Sequence, residues 1–187
     1  MWLVAGLGNP DRKYLKTRHN AGFMAADELA RLLGAQWEPG PKNTEYLMAR
    51  AEAGGLAVLL LKPLTYMNRS GAAVREVLRK NRILAEKNLI VIHDDIDMAA
   101  ARIRVRKNGS AGGHRGVESV IRETGTREFI RVKIGVGRDP SLPADVYVLQ
   151  KFSKDEAPLM EEAVHRAALA AIDVITHGVE AAMNKFN

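Results

Sequence analysis

The chain contains no cysteine, which excludes disulfides and thiolate zinc sites. No apolar stretch approaches the ~20 residues that a membrane-spanning helix requires. The first residues, MWLVAGLGNP, place no basic segment ahead of their short apolar run, so no signal peptide is predicted. Internal repeats, low-complexity tracts and an interdomain linker are also missing. These absences predict a cytoplasmic protein with no membrane partner, organised as one domain over residues 1–187.

What is present supports that reading. The 187 residues are 47% hydrophobic, enough to bury a core. Helical and strand-like patterns alternate along the chain, which favours an α/β layering over a bundle or a sandwich. The net charge of +6 is unevenly spread. Between Arg102 and Arg138 ten Lys or Arg face three acids, and the rest of the chain is close to neutral. Such a block raises the local concentration of polyanions, nucleic acid above all, although a solvated basic surface has the same composition.

WLVAGL reads as a short buried strand ending in the turn GNP. Asn20 is placed to cap a helix over Ala21 to Leu33, with Gly34 as its stop. Two strand-like segments, TEYLMARA and LAVLLLKP, flank Gly54-Gly55, a hairpin signal. A second helix is predicted over Asn68 to Lys80, followed by the strand NLIVIHDD. ARIRVRK alternates Arg102, Arg104 and Arg106 with Ile103 and Val105, a half-buried strand with one cationic face. A helix to about Thr124, the strand FIRVKIGVG and a long helix to Gly178 complete the pattern, the last opened by a capping box of Ser153 and Glu156.

Four polar clusters fall at the ends of apolar strands or just before helices: GLGNPDRKYLKTRHN, KPLTYMNRSG, VIHDDID and GSAGGHRG. In an open α/β sheet, ligands bind beyond the carboxyl ends of strands. Convergence there assembles His19, Asp94, Asn9, Asn68, Tyr14 and Tyr66, with His114 a further candidate. With no cysteine and no G-x-S-x-G, this set suits activation of water better than covalent catalysis. Each cluster also has a plainer explanation. His19 can be a helix-entry residue and Asn68 a cap. GLGNP lacks the full G-x-G-x-x-G, and GSAGGHRG lacks the G-K-[ST] ending of a phosphate loop. For VIHDDID three readings stand open: Asp94 orienting a distant His, a metal held by Asp94, Asp95 and Asp97, or a polar turn. Strand alternation, if the strand persists, sends Asp94 and Asp95 to opposite faces and splits the cluster, which makes the first arrangement the simpler one while all three stay open.

Taken together, GLGNP…Y…TRHNAG, P.TYMNRSG, HDDID and G..GGHRG, followed by RVKIGVGR, resemble the bacterial peptidyl-tRNA hydrolase family. The resemblance implies a single α/β domain with a mixed twisted sheet surrounded by helices. It also implies a metal-independent monomer without cofactor that hydrolyses the ester between a peptide and the 3′-terminal ribose of tRNA. Carried onto this chain, the general base falls on His19 and the carboxylate that orients it on Asp94. Asn9 matches the position associated with distinguishing N-blocked from free aminoacyl-tRNA. Tyr14, Tyr66, Met67 and Asn68 match substrate-contacting positions. The acceptor stem is expected along Arg104, Arg106, Arg131 and Lys133, with cations at Arg106 and Lys133 on the 5′ phosphate. Two departures from the family pattern stand out. Arg115 replaces a common Asn, and the cation types at Arg106 and Lys133 look interchanged. Relatives of the fold that bind RNA without hydrolysis provide a rival reading, and a metal-dependent nuclease a second.

Overall fold

A computed structural model of the chain describes residues 1–187. The chain enters through β1 (Trp2–Gly6), two short 3-10 turns (Arg12–Tyr14 and Arg18–Asn20) and α1 (Ala21–Leu32). A two-residue β2 (Glu38–Pro39) precedes the hairpin of β3 (Tyr46–Ala53) and β4 (Leu56–Pro63). A third 3-10 turn, Met67–Arg69, leads into α2 (Ser70–Asn81) and the short α3 (Ala85–Asn88). Then come β5 (Leu89–Asp95), β6 (Ile103–Arg106), α4 (Arg115–Thr124) and β7 (Ile130–Gly135). The short α5 (Ala144–Tyr147), the long α6 (Glu156–His177) and α7 (Val179–Phe186) complete the fold.

The strands form one seven-stranded sheet in the order β2-β3-β4-β1-β5-β7-β6. Its centre, β4-β1-β5-β7, is parallel, while β2, β3 and β6 pair antiparallel at the margins. The parallel strands are nearly continuous apolar runs, as expected for a sheet covered on both faces. Alternate side chains divide the core in two. Leu3, Leu59, Leu61 and Val91 pack under α2 and α4 with Val74, Val77 and Val120. Val4, Leu60, Ile92 and Val132 pack under α1, α6 and α7 with Leu29, Val164 and Ala182. The helix that leaves β1 therefore lies on one face and the helix that leaves β4 on the other. Such a reversal opens a crevice at the carboxyl ends of the central strands.

Most predicted elements are present. At the β3–β4 turn Gly54 and Gly55 have φ of 57° and 78°, the left-handed pair that a tight hairpin requires. The second helix departs from expectation at its start, because Met67–Arg69 forms a separate 3-10 turn and α2 begins at Ser70. β2, α3 and α5 have only two to four residues, too few for a periodic pattern. The outer edge of β6 is closed by the side chain of Asn187, whose Oδ1 accepts from Val105 N at 2.7 Å and whose Nδ2 donates to Val105 O at 3.3 Å.

Candidate active site

The four polar clusters converge on one cleft of about 670 Å³ at the carboxyl end of the parallel strands. Its lining includes Asn9, Tyr14, His19, Tyr66, Met67, Asn68, Asp94, His114 and Arg115, together with Arg104 and Lys133.

The loop from β1 to α1 carries Asn9, Tyr14 and His19, and its ends are tied together. Asn9 N donates to Asn20 Oδ1 at 2.9 Å, and Asn20 Nδ2 donates to Asn9 O at 3.0 Å. This corrects the expectation that Asn20 caps α1: it makes no side-chain cap, because both ends of its amide are committed to the opposite end of the loop. Asn9 Oδ1 accepts from Met67 N at 2.9 Å. That bond fixes the amide orientation, so Asn9 turns its Nδ2 donor, which has no partner within the protein, to the cleft.

His19 stands beside Asp94 at the end of β5. Its Nδ1 lies 3.0 Å from each Asp94 oxygen. The carboxylate accepts, so Nδ1 carries the proton and Nε2 keeps its lone pair. His114 supplies a second donor, with Nε2 at 2.9 Å from Asp94 Oδ1. Its Nδ1 accepts from Gly116 N and Val117 N in the first turn of α4. Asp94 is 2% exposed. Burial pushes its carboxyl up, but the charges and hydrogen bonds of the two imidazoles outweigh this and hold it far below the usual carboxylate range. His93 is buried and donates through Nδ1 to Asp94 O at 2.7 Å. Burial, and then His114, hold it well below the usual histidine range.

His19, Asp94 and His114 also have the composition of a metal cluster. The hydrogen bonds argue for a different assignment. His114 Nδ1 already accepts two amides, so its Nε2 bears the proton, and ligating a cation there would require an imidazolate. Asp95 and Asp97 do not join the group. Asp95 Oδ2 accepts from Lys133 Nζ at 3.0 Å, its Oδ1 accepts from Asp97 N, and Asp97 is exposed beside Arg138. The three carboxylates of VIHDDID thus point to different partners, as strand alternation predicts.

Met67 is 4% exposed and forms apolar wall. Asn68 is exposed, makes only a backbone contact, and leaves its side-chain amide to the cleft. Tyr14 is half-buried, whereas Tyr66 is exposed on the rim with its hydroxyl donating to Asp11 Oδ2 at 3.0 Å. Arg115, the first residue of α4, is exposed and has no ion-pair partner.

The cationic strands divide. Arg104 and Lys133 face each other in register and line the cleft; Arg106 lies half-buried one step further along β6. Arg131 corrects the expectation of a fourth surface cation. It is 0% exposed, because the loop at Gly109 crosses over it. Its Nη2 donates to the carbonyls of Gly109 and Arg127, and its guanidinium stacks 4.4 Å from the Phe129 ring centre. Burial, with Arg127 nearby, pushes Arg131 down to about 10. Alternation places Arg131 and Lys133 on one face, but it carries no information about which loop covers them. The wall formed by Ala144, Val148 and Leu149 has no counterpart among the four clusters. The Gly-Gly-His before α4 is the one sequence signal that marks His114 as a helix-entry residue.

The family model described as peptidyl-tRNA hydrolase matches residues 3–187. The peptidyl-tRNA hydrolase of Thermodesulfovibrio yellowstonii is 43% identical over 189 residues, covering 100% of this chain and 99% of that protein. That of Thermoanaerobacter sp. (strain X514) is 46% identical over 187 residues, covering 100% of both. Among solved structures, the peptidyl-tRNA hydrolase of Acinetobacter baumannii aligns with a TM-score of 0.92 at 35% identity, over 100% of this chain and 94% of that one.

Proposed function

The chain belongs to the peptidyl-tRNA hydrolase family, and from that premise we propose how its cleft hydrolyses the ester joining a peptide to the 3′-terminal ribose of tRNA. The observation that carries the proposal is the His19–Asp94 pair, which leaves the Nε2 lone pair of His19 free in a cleft lined with amide donors. His19 Nε2 takes a proton from water as the oxygen attacks the ester carbonyl carbon. Asp94 holds the tautomer and stabilises the imidazolium as it forms, the orienting logic of a serine triad with water as nucleophile. Collapse of the tetrahedral intermediate breaks the bond to the ribose oxygen, which takes its proton from His19. The products are a free peptide acid and tRNA with an intact 3′ hydroxyl. General-base help is typically worth about 10²–10⁴-fold, so donors for the developing oxyanion must add to it.

Asn68 is the donor with a free amide for that oxyanion. Asn9, its acceptor committed to Met67 N, donates to a peptide carbonyl and so favours substrates with a blocked amino group. Met67 packs against the substrate, and Tyr14 and Tyr66 flank it. His114 holds Asp94 beside His19, through the Oδ1 that both imidazoles share. The acceptor stem lies along Arg104, Arg106 and Lys133, with Arg106 and Lys133 on the terminal 5′ phosphate. Arg115 reaches a carbonyl or phosphate near the 3′ end. The protein works as a single-domain, metal-independent monomer in the cytoplasm.

The test is hydrolysis of an N-acetyl-aminoacyl-tRNA by wild type and His19→Ala, with chelator present, beside the unblocked aminoacyl-tRNA. Wild type is expected to cleave only the blocked substrate, undisturbed by chelator, and His19→Ala to be slower by about 10²–10⁴-fold. Tight binding without cleavage would make the protein an RNA-binding relative, and loss of activity with chelator would replace the imidazole mechanism with a metal one.

A further inference from the structure

We propose that Arg18, held by Glu156, is a positioning residue for His19: a buried guanidinium that locks the turn carrying the base onto the segment forming the adjoining wall of the cleft. The proposal rests on His19 being the base and adds what holds it in place.

Arg18 is only 6% exposed and none of the polar contacts assigned above uses it. Its Nη2 lies 2.8 Å from both oxygens of Glu156, and its Nη1 donates to Lys151 O at 2.8 Å. The guanidinium is covered by the rings of Tyr147 at 4.4 Å and Phe152 at 5.3 Å. Burying a cation is unfavourable unless it is paired and hydrogen-bonded, and here every partner belongs to residues 147–156. The backbone repeats the connection: Arg18 N donates to Gln150 O at 3.0 Å, and His19 N donates to Val148 O at 2.8 Å. Val148 and Leu149 line the cleft. The same contacts therefore set both where His19 stands and how far the wall lies from it.

Glu156 is itself fixed. Its Oε2 accepts from Ser153 N at 2.8 Å while its own N–H donates to Ser153 Oγ at 3.2 Å, the reciprocal box that begins α6. The long helix thus serves as the anchor, Arg18 as the strut, and the His19 turn as the part held. Lysine can pair with Glu156 but cannot fork at the same time to a backbone carbonyl and stack flat between two rings.

The test compares Arg18→Met, Arg18→Lys, Glu156→Gln and Ser153→Ala. The readouts are kcat and KM on N-acetyl-aminoacyl-tRNA, the melting temperature, and the low-field proton resonance of the His19 Nδ1–H bonded to Asp94. A misplacement of about 1 Å costs on the order of 10²-fold in rate, so Arg18→Met is expected to lose about that factor in kcat. Its KM should stay within about threefold of wild type, the signature of an interaction realised in the transition state. Arg18→Lys should recover part of the loss and Glu156→Gln should fall between. Ser153→Ala, which removes one of the two bonds that fix Glu156 but keeps the Arg18 pair, should melt earlier and lose less in kcat than Glu156→Gln. If Arg18→Met does not fold, Arg18→Lys and Glu156→Gln decide. Wild-type kcat with a lowered melting temperature in the Arg18 variants would reduce the pair to a stability element and overturn the proposal. Should wild type itself fail to hydrolyse the substrate, the functional reading fails alone, because the His19 resonance still reports whether Arg18 orders the turn.

Discussion

A neutral imidazole carries one proton and one lone pair, and the neighbours of the three histidines at the cleft, His19, His93 and His114, settle which nitrogen has which. His114 receives two amides on Nδ1 and so must donate from Nε2. His93 donates from Nδ1 and buries an Nε2 that has no partner. The position of His93 has a measurable consequence. Its native pKa is depressed, by burial first and by His114 second, so the unfolded chain takes up a proton near pH ~6.5 that the native state refuses. Stability is therefore full above that pH and falls as pH drops below it, by up to about 1.4 kcal/mol per unit. Asp94 acts in a separate, lower window, because its depressed pKa removes stability only below about pH 4. Urea denaturation at pH 7.5, 6.0 and 5.0 should show a declining midpoint in wild type and a flatter one in His93→Gln; parallel declines would refute this origin. At this scale the sequence displayed His19, Asp94, Asn9 and Asn68, because polar residues at the ends of apolar strands stand out. It did not display how amides are used. Asn20 had the position of a cap and became a staple, and Arg131 had the phase of a surface cation and became buried, since both outcomes depend on partners distant in sequence.

Between elements, α2 and α4 cross with their backbones in close approach. A Cβ on Gly71 would stand 2.1 Å from Ser119 O, and Gly71 N donates to Ser119 Oγ at 3.0 Å. Backbone meets backbone there, and no side chain can swing aside. Gly71→Ala should destabilise the protein by about 1–3 kcal/mol and, by displacing the helix that begins after His114, lower kcat/KM as well. Thermal denaturation and steady-state kinetics on the same preparation check both, and unchanged melting would show that the helices can separate freely. Elements with a period or a turn code were readable in advance: the Gly54-Gly55 hairpin, the alternation of β6, and the Ser153–Glu156 box, which forms as reciprocal hydrogen bonds. The four-residue α5 has neither signal, although it begins the wall that Arg18 grips, so that side of the cleft was invisible until the chain was folded.

For the molecule as a whole, positive charge is concentrated between Arg102 and Arg138, and β6 and β7 present Arg104, Arg106 and Lys133 from that block. Lys133 is held in place by Asp95, 3.0 Å away, so its ammonium is oriented within the folded protein. Charge reversal at Arg106 or Lys133 should weaken binding of every tRNA and reduce the slope of log affinity against log salt by about one. Arg131→Met should leave that slope unchanged, because a buried cation releases no counterions. Titrations in a His19→Ala background, where substrate survives, make the comparison, and equal slopes in all variants would remove these strands from the interface. The basic block was visible as composition; its division into presented and buried cations was not, because it depends on the Gly109 loop. One further consequence follows from the sheet's two margins. At one, β2 has two residues and ends in Pro39; at the other, Asn187 occupies both the N–H and the C=O of Val105. The first cover is partial, since β2 pairs only with Leu47 and Met48 of β3, whereas on the short β6 the capped Val105 interrupts the row of backbone groups on which another copy's strand could grow. The outermost strand, which carries Arg104 and Arg106, thus offers its side chains outward while the backbone of Val105 is already spoken for, so the C-terminal residue guards this margin against strand addition.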